Sequence, residues 1–132
     1  MIGLDANILL RVLLDDDAVQ SPMARELLGK LTPEQAGYIN LVVLMEVVWT
    51  IRTRFKGRPD HLHTALETLL SGAAYVVQSR DEVVAALSLA KTGRYGFADA
   101  LIGYLNQRAD CGATWTFDHG APSEAGFKAA VL

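Results

Sequence analysis

Met1-Ile2-Gly3-Leu4-Asp5-Ala6-Asn7-Ile8-Leu9-Leu10-Arg11-Val12-Leu13-Leu14 is the stretch that decides the fold class. Residues 1–5 are apolar until Asp5 and read as a buried strand. From Asn7 to Leu14 the apolar positions recur at helical spacing. A strand that hands over at once to a helix opens a βα unit. The same handover recurs along the chain. Gly37-Tyr38-Ile39 is a candidate strand before a helix that Asn40 can cap and that stops near Gly57. Ala74-Tyr75-Val76-Val77 is a β-run, and Ser79-Arg80-Asp81-Glu82 has the capping-box pattern that opens a helix, here ending near Gly93. Phe97 to Ala109 is helical, and Ala113 to Phe117 is a strand.

Between these, Ser21-Pro22 reads as a helix start with Ser21 as N-cap, running to about Leu31. Pro59 to Leu70 is a further helix with Gly72 at its end. A turn of helix is expected after Ser123 and a last strand near Ala129-Ala130-Val131. Strands alternating with helices predict an α/β protein with a short parallel sheet flanked by helices. In such sheets ligands bind beyond the carboxyl ends of the strands.

The length of 132 residues suits one domain, 1–132, with a real core. Hydrophobic content of 51% and charged content of 20% argue against disorder. A net charge of −3 is not the usual basic signature of a nucleic-acid binder. It leaves nucleic acid open, because a metal ion can receive a phosphate in place of lysines. The single cysteine, Cys111, excludes an internal disulfide and a cysteine zinc cluster. It reads as a reduced, partly buried thiol. No targeting segment is visible near Met1, and the run Leu41–Trp49 is too short to span a bilayer and carries Glu46. A cytoplasmic protein without membrane attachment is expected.

Four carboxylates stand out. Asp5 closes the first apolar run. Glu46 interrupts Leu41-Val42-Val43-Leu44-Met45-Glu46-Val47-Val48-Trp49. Asp99 lies in Phe97-Ala98-Asp99-Ala100, and Asp118 ends Thr114-Trp115-Thr116-Phe117-Asp118. Each belongs to a segment that otherwise reads as core. Burying an unpaired carboxylate costs several kcal/mol unless something neutralises it. A hard divalent cation with oxygen ligands would neutralise several together. The four are therefore expected to share one cleft and one metal site.

Each acid also has a local explanation. Asp5 could cap the following helix, and Asp99 could favour a helix dipole. Asp118 could be a turn residue. Glu46 could lie on a thin solvated stripe beside the face formed by Leu44, Val47, Val48 and Ile51. Asn7 and Thr116 carry neutral groups able to orient a carboxylate, or else to bond local backbone. Asp15-Asp16-Asp17 reads as a solvated loop. His61 and His63 lie on different sides of a helix and make a poor metal pair. His119 adjoins Asp118, but a single histidine does not define a zinc centre.

Asp5-Ala6-Asn7, Glu46 after an apolar helical run, Phe97-Ala98-Asp99-Ala100 and Thr116-Phe117-Asp118 together resemble the PIN-domain ribonucleases, most closely the VapC toxins of toxin–antitoxin pairs. The likeness includes Asn7 through Leu14 with Arg11, the acidic loop and Ser21, and it covers essentially the whole chain. It implies a three-layer PIN-like fold and an endoribonuclease dependent on Mg²⁺ or Mn²⁺, with Asp5, Glu46, Asp99 and Asp118 as metal ligands. It also implies a homodimer, neutralisation by a VapB-like antitoxin, and promoter DNA bound only through that antitoxin. The sequence departs from the family at Ala6, where Thr is common, at Asn40, where Ser or Thr is frequent, and at His119, where Lys or Arg is frequent.

The expected chemistry is hydrolysis of an RNA phosphodiester by water that the ion acidifies, with a carboxylate taking the proton. Arg11, Lys91, Arg94 and His119 are candidates for RNA contact, and each has a surface-charge reading beside it. A receiver-like signalling domain, or a PIN-like module that only binds partners, would explain some of the acids. The first would need an acidic pair after the first strand, where this chain has Asp5 alone, and a mid-chain phosphoacceptor, where it has Gln78-Ser79.

Overall fold

The computed structural model describes residues 1–132. Five short strands and six helices follow one another: β1 (Ile2–Gly3), α1 (Ala6–Leu14), α2 (Gln20–Gly29), β2 (Gly37–Ile39), α3 (Leu41–Arg54), α4 (Pro59–Ser71), β3 (Tyr75–Val77), α5 (Arg80–Ala90), α6 (Phe97–Arg108), β4 (Thr114–Thr116) and β5 (Phe127–Ala129), with a 3-10 turn over Ser123–Ala125. This is the α/β class with short parallel strands that the alternation predicts. No helix is long and apolar enough to cross a membrane. Backbone contacts group the residues into two units, Met1–Gln78 and Ser79–Leu132.

The first unit holds a three-stranded parallel sheet in the order β1-β2-β3. Ile2 faces Gly37 and Gly3 faces Tyr38, while Gly37, Tyr38 and Ile39 face Tyr75, Val76 and Val77. Parallel neighbours need long crossovers, and α1 with α2, then α3 with α4, supply them. Leu4, Leu9, Ile39, Leu44, Val47, Val48, Ile51, Leu66 and Leu69 form the buried core. Leu44, Val47, Val48 and Ile51 are the helical face read from their spacing. Asn40 caps α3 as expected, its Oδ1 accepting from the Val43 N–H at 2.9 Å.

The second unit pairs β4 with β5 in parallel, Thr114 facing Phe127 and Thr116 facing Ala129. Helices α5 and α6 pack on each other, burying Val83, Ala86, Leu87, Phe97, Ala100 and Leu101. Gly126, at φ +86°, turns the chain out of the 3-10 turn and into β5. The last strand therefore starts two residues before the position read from the sequence.

Two cap assignments are corrected. Ser21 does not cap α2. It is fully buried, and its Oγ accepts from the Asp17 N–H at 3.2 Å. The N-cap position is Val19, which has no side-chain cap bond, and Asp17, two residues before it, accepts through Oδ1 from the Val19 and Gln20 N–H groups at 3.0 and 2.7 Å. Pro22 is tolerated because it sits in the first turn, where no N–H is required. Ser79 makes no side-chain cap bond and takes a left-handed backbone at φ 52°. Glu82, the other half of that expected box, pairs instead with Arg108 at 3.7 Å. Cys111 is exposed rather than partly buried, because it follows the end of α6 in a surface loop.

Candidate active site

In the first unit, Asp5 lies two residues past β1 with an extended backbone and caps α1, its Oδ1 accepting from the Ala6 N–H at 2.9 Å. Because Gly3 lies opposite Tyr38, Asp5 and Asn40 end neighbouring strands at the same level. The Leu4 N–H bonds the Tyr38 carbonyl at 3.0 Å and holds that level. Helices α1 and α3 therefore set out side by side from the carboxyl ends of adjacent strands. Glu46 follows in the second turn of α3. It is exposed and flanked by Val42, Met45 and Trp49, with Val42 and Trp49 at 71% and 70% exposure.

Asn7 is exposed on α1, one turn before Arg11. Both line an open cleft of about 390 Å³ against Met23 and Leu27 of α2. The Arg11 guanidinium is already engaged. Its Nε donates to Gln20 Oε1 at 2.7 Å, and its Nη1 lies 3.4 Å from Asp16 Oδ1.

In the second unit, Asp99 lies in the first turn of α6, whose cap residue Gly96 offers no side chain. Its charge suits the helix dipole there. Asp118 lies two residues past β4 in a tight turn. Its Oδ1 accepts from the Gly120 N–H at 2.8 Å, and its own N–H donates to Thr116 Oγ1 at 3.0 Å. Thr116 thus fixes the backbone of Asp118, and His119 is exposed inside the same turn. Lys91 follows the end of α5 and is exposed. Arg94 Nη2 donates to Tyr95 Oη at 3.3 Å, and its guanidinium carbon stands 5.3 Å from the centre of the Tyr95 ring. Tyr95 in turn donates to Glu124 Oε1 at 3.1 Å. The Ser123 hydroxyl, a backbone N–H and Tyr95 hold the Glu124 carboxyl below its usual range.

All four carboxylates are exposed, which corrects the expectation that they are buried with their segments. The period of each element explains the error. An apolar run on a short strand or amphipathic helix still turns some positions outward, and strand ends open to solvent. The desolvation argument for a metal therefore lapses. Accessibility and donor chemistry stand in its place. None of the four acids makes an ion pair, and all offer carboxylate oxygen. Such a set fits Mg²⁺ or Mn²⁺ rather than a nitrogen- and sulfur-bound zinc. Within neither unit alone are three or more His, Cys, Asp or Glu side chains gathered to hold an ion.

Asp15-Asp16-Asp17 is largely solvated, as expected, but its carboxylates are engaged. Asp15 pairs with Arg25, Asp16 pairs with Arg11 and with Arg54 at 3.0 Å, and Asp17 accepts from the Val19 and Gln20 N–H groups at the start of α2. The signal available in the sequence was Arg11, four residues before the run. The partner Arg54, thirty-eight residues further on than Asp16, could come only from the fold. The aromatic rings of Trp115, in β4, and of Phe117, just after it, belong to a segment that reads as core and are exposed.

No curated protein matches the sequence significantly. The PIN-domain profile matches residues 2–126, a span that includes all four acids. With nearly the whole sequence inside that match, the chain belongs to the PIN-domain family, a family of proteins that are typically nucleases using a divalent metal.

Proposed function

We propose that the protein is a Mg²⁺- or Mn²⁺-dependent endoribonuclease whose ion is held by Asp5, Glu46, Asp99 and Asp118. The observation that carries this reading is the family match over residues 2–126 with every one of those carboxylates exposed and free of a cationic partner. A bound divalent ion supplies phosphate charge neutralisation and acidification of water. The chain's own residues do the rest. Asp5 is fixed to the start of α1 through Oδ1, and Asp118 is fixed by Thr116 and Gly120. Glu46, on a helix face without a basic neighbour, accepts the proton of the attacking water. Lys91, Arg94 and His119 contact RNA phosphate, while Asn7 orients Asp5.

We further propose the toxin role, with a homodimer and a VapB-like antitoxin through which promoter DNA is bound. The apolar ring of Val42, Met45 and Trp49 around Glu46 supports a protein partner at that surface. The test is purified, antitoxin-free protein incubated with total RNA and Mn²⁺ or EDTA. Cleavage with Mn²⁺ that EDTA abolishes is expected, and cleavage that persists equally in EDTA overturns the mechanism. Growth arrest on expression, relieved by a small neighbouring reading frame, tests the toxin role.

A further inference from the structure

Helices α1 and α3 each carry one acid of the proposed site, and they are tied together at both ends. At their starts, the pairing of β1 with β2 sets Asp5 level with Asn40. Toward their far ends, one carboxylate joins them: Asp16 Oδ1 lies 3.4 Å from Arg11 Nη1 of α1, and Asp16 Oδ2 lies 3.0 Å from Arg54 Nη1 of α3. Two separated ties fix the direction of one rod against another, where a single tie leaves the crossing angle free.

Asp16 is itself held. Its neighbours Asp15 and Asp17 are anchored to α2, through Arg25 and through the cap bonds to Val19 and Gln20. Beside them Ser21 is fully buried, with its Oγ on the Asp17 N–H. The Arg11 fork is braced on its other edge by Gln20. The Asp16 side chain is 23% exposed, so solvent screens it less than a freely solvated pair.

We propose that Asp16 is a positioning residue. By clasping Arg11 and Arg54 it sets the angle between α1 and α3, and so the placement of Asp5 relative to Glu46. The proposal rests on the reading of those two acids as metal ligands. A helix swing about the strand end moves Glu46, in the second turn of α3, while Asp5 stays at the pivot. A displacement of about 1 Å in a reacting constellation can cost roughly 100-fold in rate.

The experiment uses the full chain with Asp16→Asn, Asp16→Glu and, as control, Asp15→Asn, which removes only the Arg25 pair. Without metal, Asp16→Asn is expected to shift the backbone amide resonances of Met45, Glu46 and Val47, whereas Asp15→Asn leaves them in place. Titration with Mn²⁺ alone is expected to show about tenfold weaker binding, and RNA cleavage a kcat lowered by roughly 10- to 100-fold at unchanged KM. Asp16→Glu recovers most of each loss. Resonance changes confined to residues touching Asp16, or a lower melting temperature with wild-type Mn²⁺ affinity and kcat, would reduce Asp16 to a stabilising brace and overturn the proposal. If Asp5→Asn also leaves Mn²⁺ binding and cleavage intact, the reading of Asp5 as a metal ligand has failed, which the amide shifts distinguish from a failure of the clasp.

Discussion

The two units hold their acids by different means. In Met1–Gln78 the acids sit on regular elements: Asp5 at a strand–helix junction registered by β1 and β2, and Glu46 inside a helix of fourteen residues. The acidic loop ties the helices beside them through Arg11, Arg25 and Arg54. In Ser79–Leu132, Asp99 also rides a helix, but Asp118 lies in a turn held by Thr116 and its own bond to Gly120. Elsewhere in that unit, hydrogen bonds join Tyr95 and Ser123 to Glu124, and the 3-10 turn packs against α6. The first unit thus stiffens its acids with sheet register and ion pairs, and the second with short-range hydrogen bonds. Short-range bonds cost little loop-closure entropy to form, but they constrain only a few residues each.

The sharpest way to break this comparison is to remove one acid from each unit. Asp5→Asn and Asp99→Asn are each expected to lower RNA cleavage by at least about 1000-fold, roughly 4 kcal/mol of transition-state stabilisation, with unchanged far-ultraviolet circular dichroism. If one variant keeps wild-type cleavage, the acids of that unit play no part in the chemistry.

Packing in the second unit is tested at Gly103 of α6. A Cβ there would meet the Ala125 carbonyl oxygen and would approach the Ala125 Cβ to 2.7 Å. Gly103→Ala is expected to cost about 1–3 kcal/mol in denaturant unfolding, because backbone rather than a flexible side chain must give way. It should also raise amide exchange in Ser123–Ala125. A stability equal to wild type would show that the 3-10 turn moves freely. The first unit has its counterpart in Asn40→Ala, which removes the acceptor for the Val43 N–H. A loss of about 1 kcal/mol is expected from denaturant unfolding, as for other N-caps.

The smallest effect is in acid, where each unit has one exposed carboxyl held below its ordinary range. Asp17 is held there by the Gln20 and Val19 N–H groups, and Glu124 chiefly by the Ser123 hydroxyl. A depressed folded pKa means that the folded state holds the charged form more tightly than the unfolded chain does. The stabilisation is complete above the ordinary carboxylate value, about 4, and is lost as pH falls through the folded value. Asp17→Asn should flatten the acid limb of a melting-temperature profile slightly. An unchanged limb would show that the cap bonds do not discriminate charge in solution.

The sequence by itself determined the order of the elements and the identity of the acids. Strand and helix periods are local properties of the chain, so the five strands and the apolar face Leu44-Val47-Val48-Ile51 were legible from spacing alone. The Asn40 cap was legible for the same reason, since donor and acceptor are three residues apart. The motifs around the four acids resemble the PIN-domain ribonucleases in sequence alone, and the profile match over residues 2–126 agrees with the family.

Only the tertiary structure decided which way those acids face. Exposure depends on what packs over a segment, and a run of apolar letters does not say which of its positions lies outside. That is why Glu46, Trp49, Trp115 and Phe117 read as core and prove exposed. The caps at Ser21 and Ser79 failed where a neighbouring group competed better: Asp17 for the first turn of α2, and Arg108 for Glu82. The role of Asp16 was likewise invisible, because its partner Arg54 is brought to it by the crossover through β2, and an ion pair between segments so distant in sequence exists only once the helices have packed.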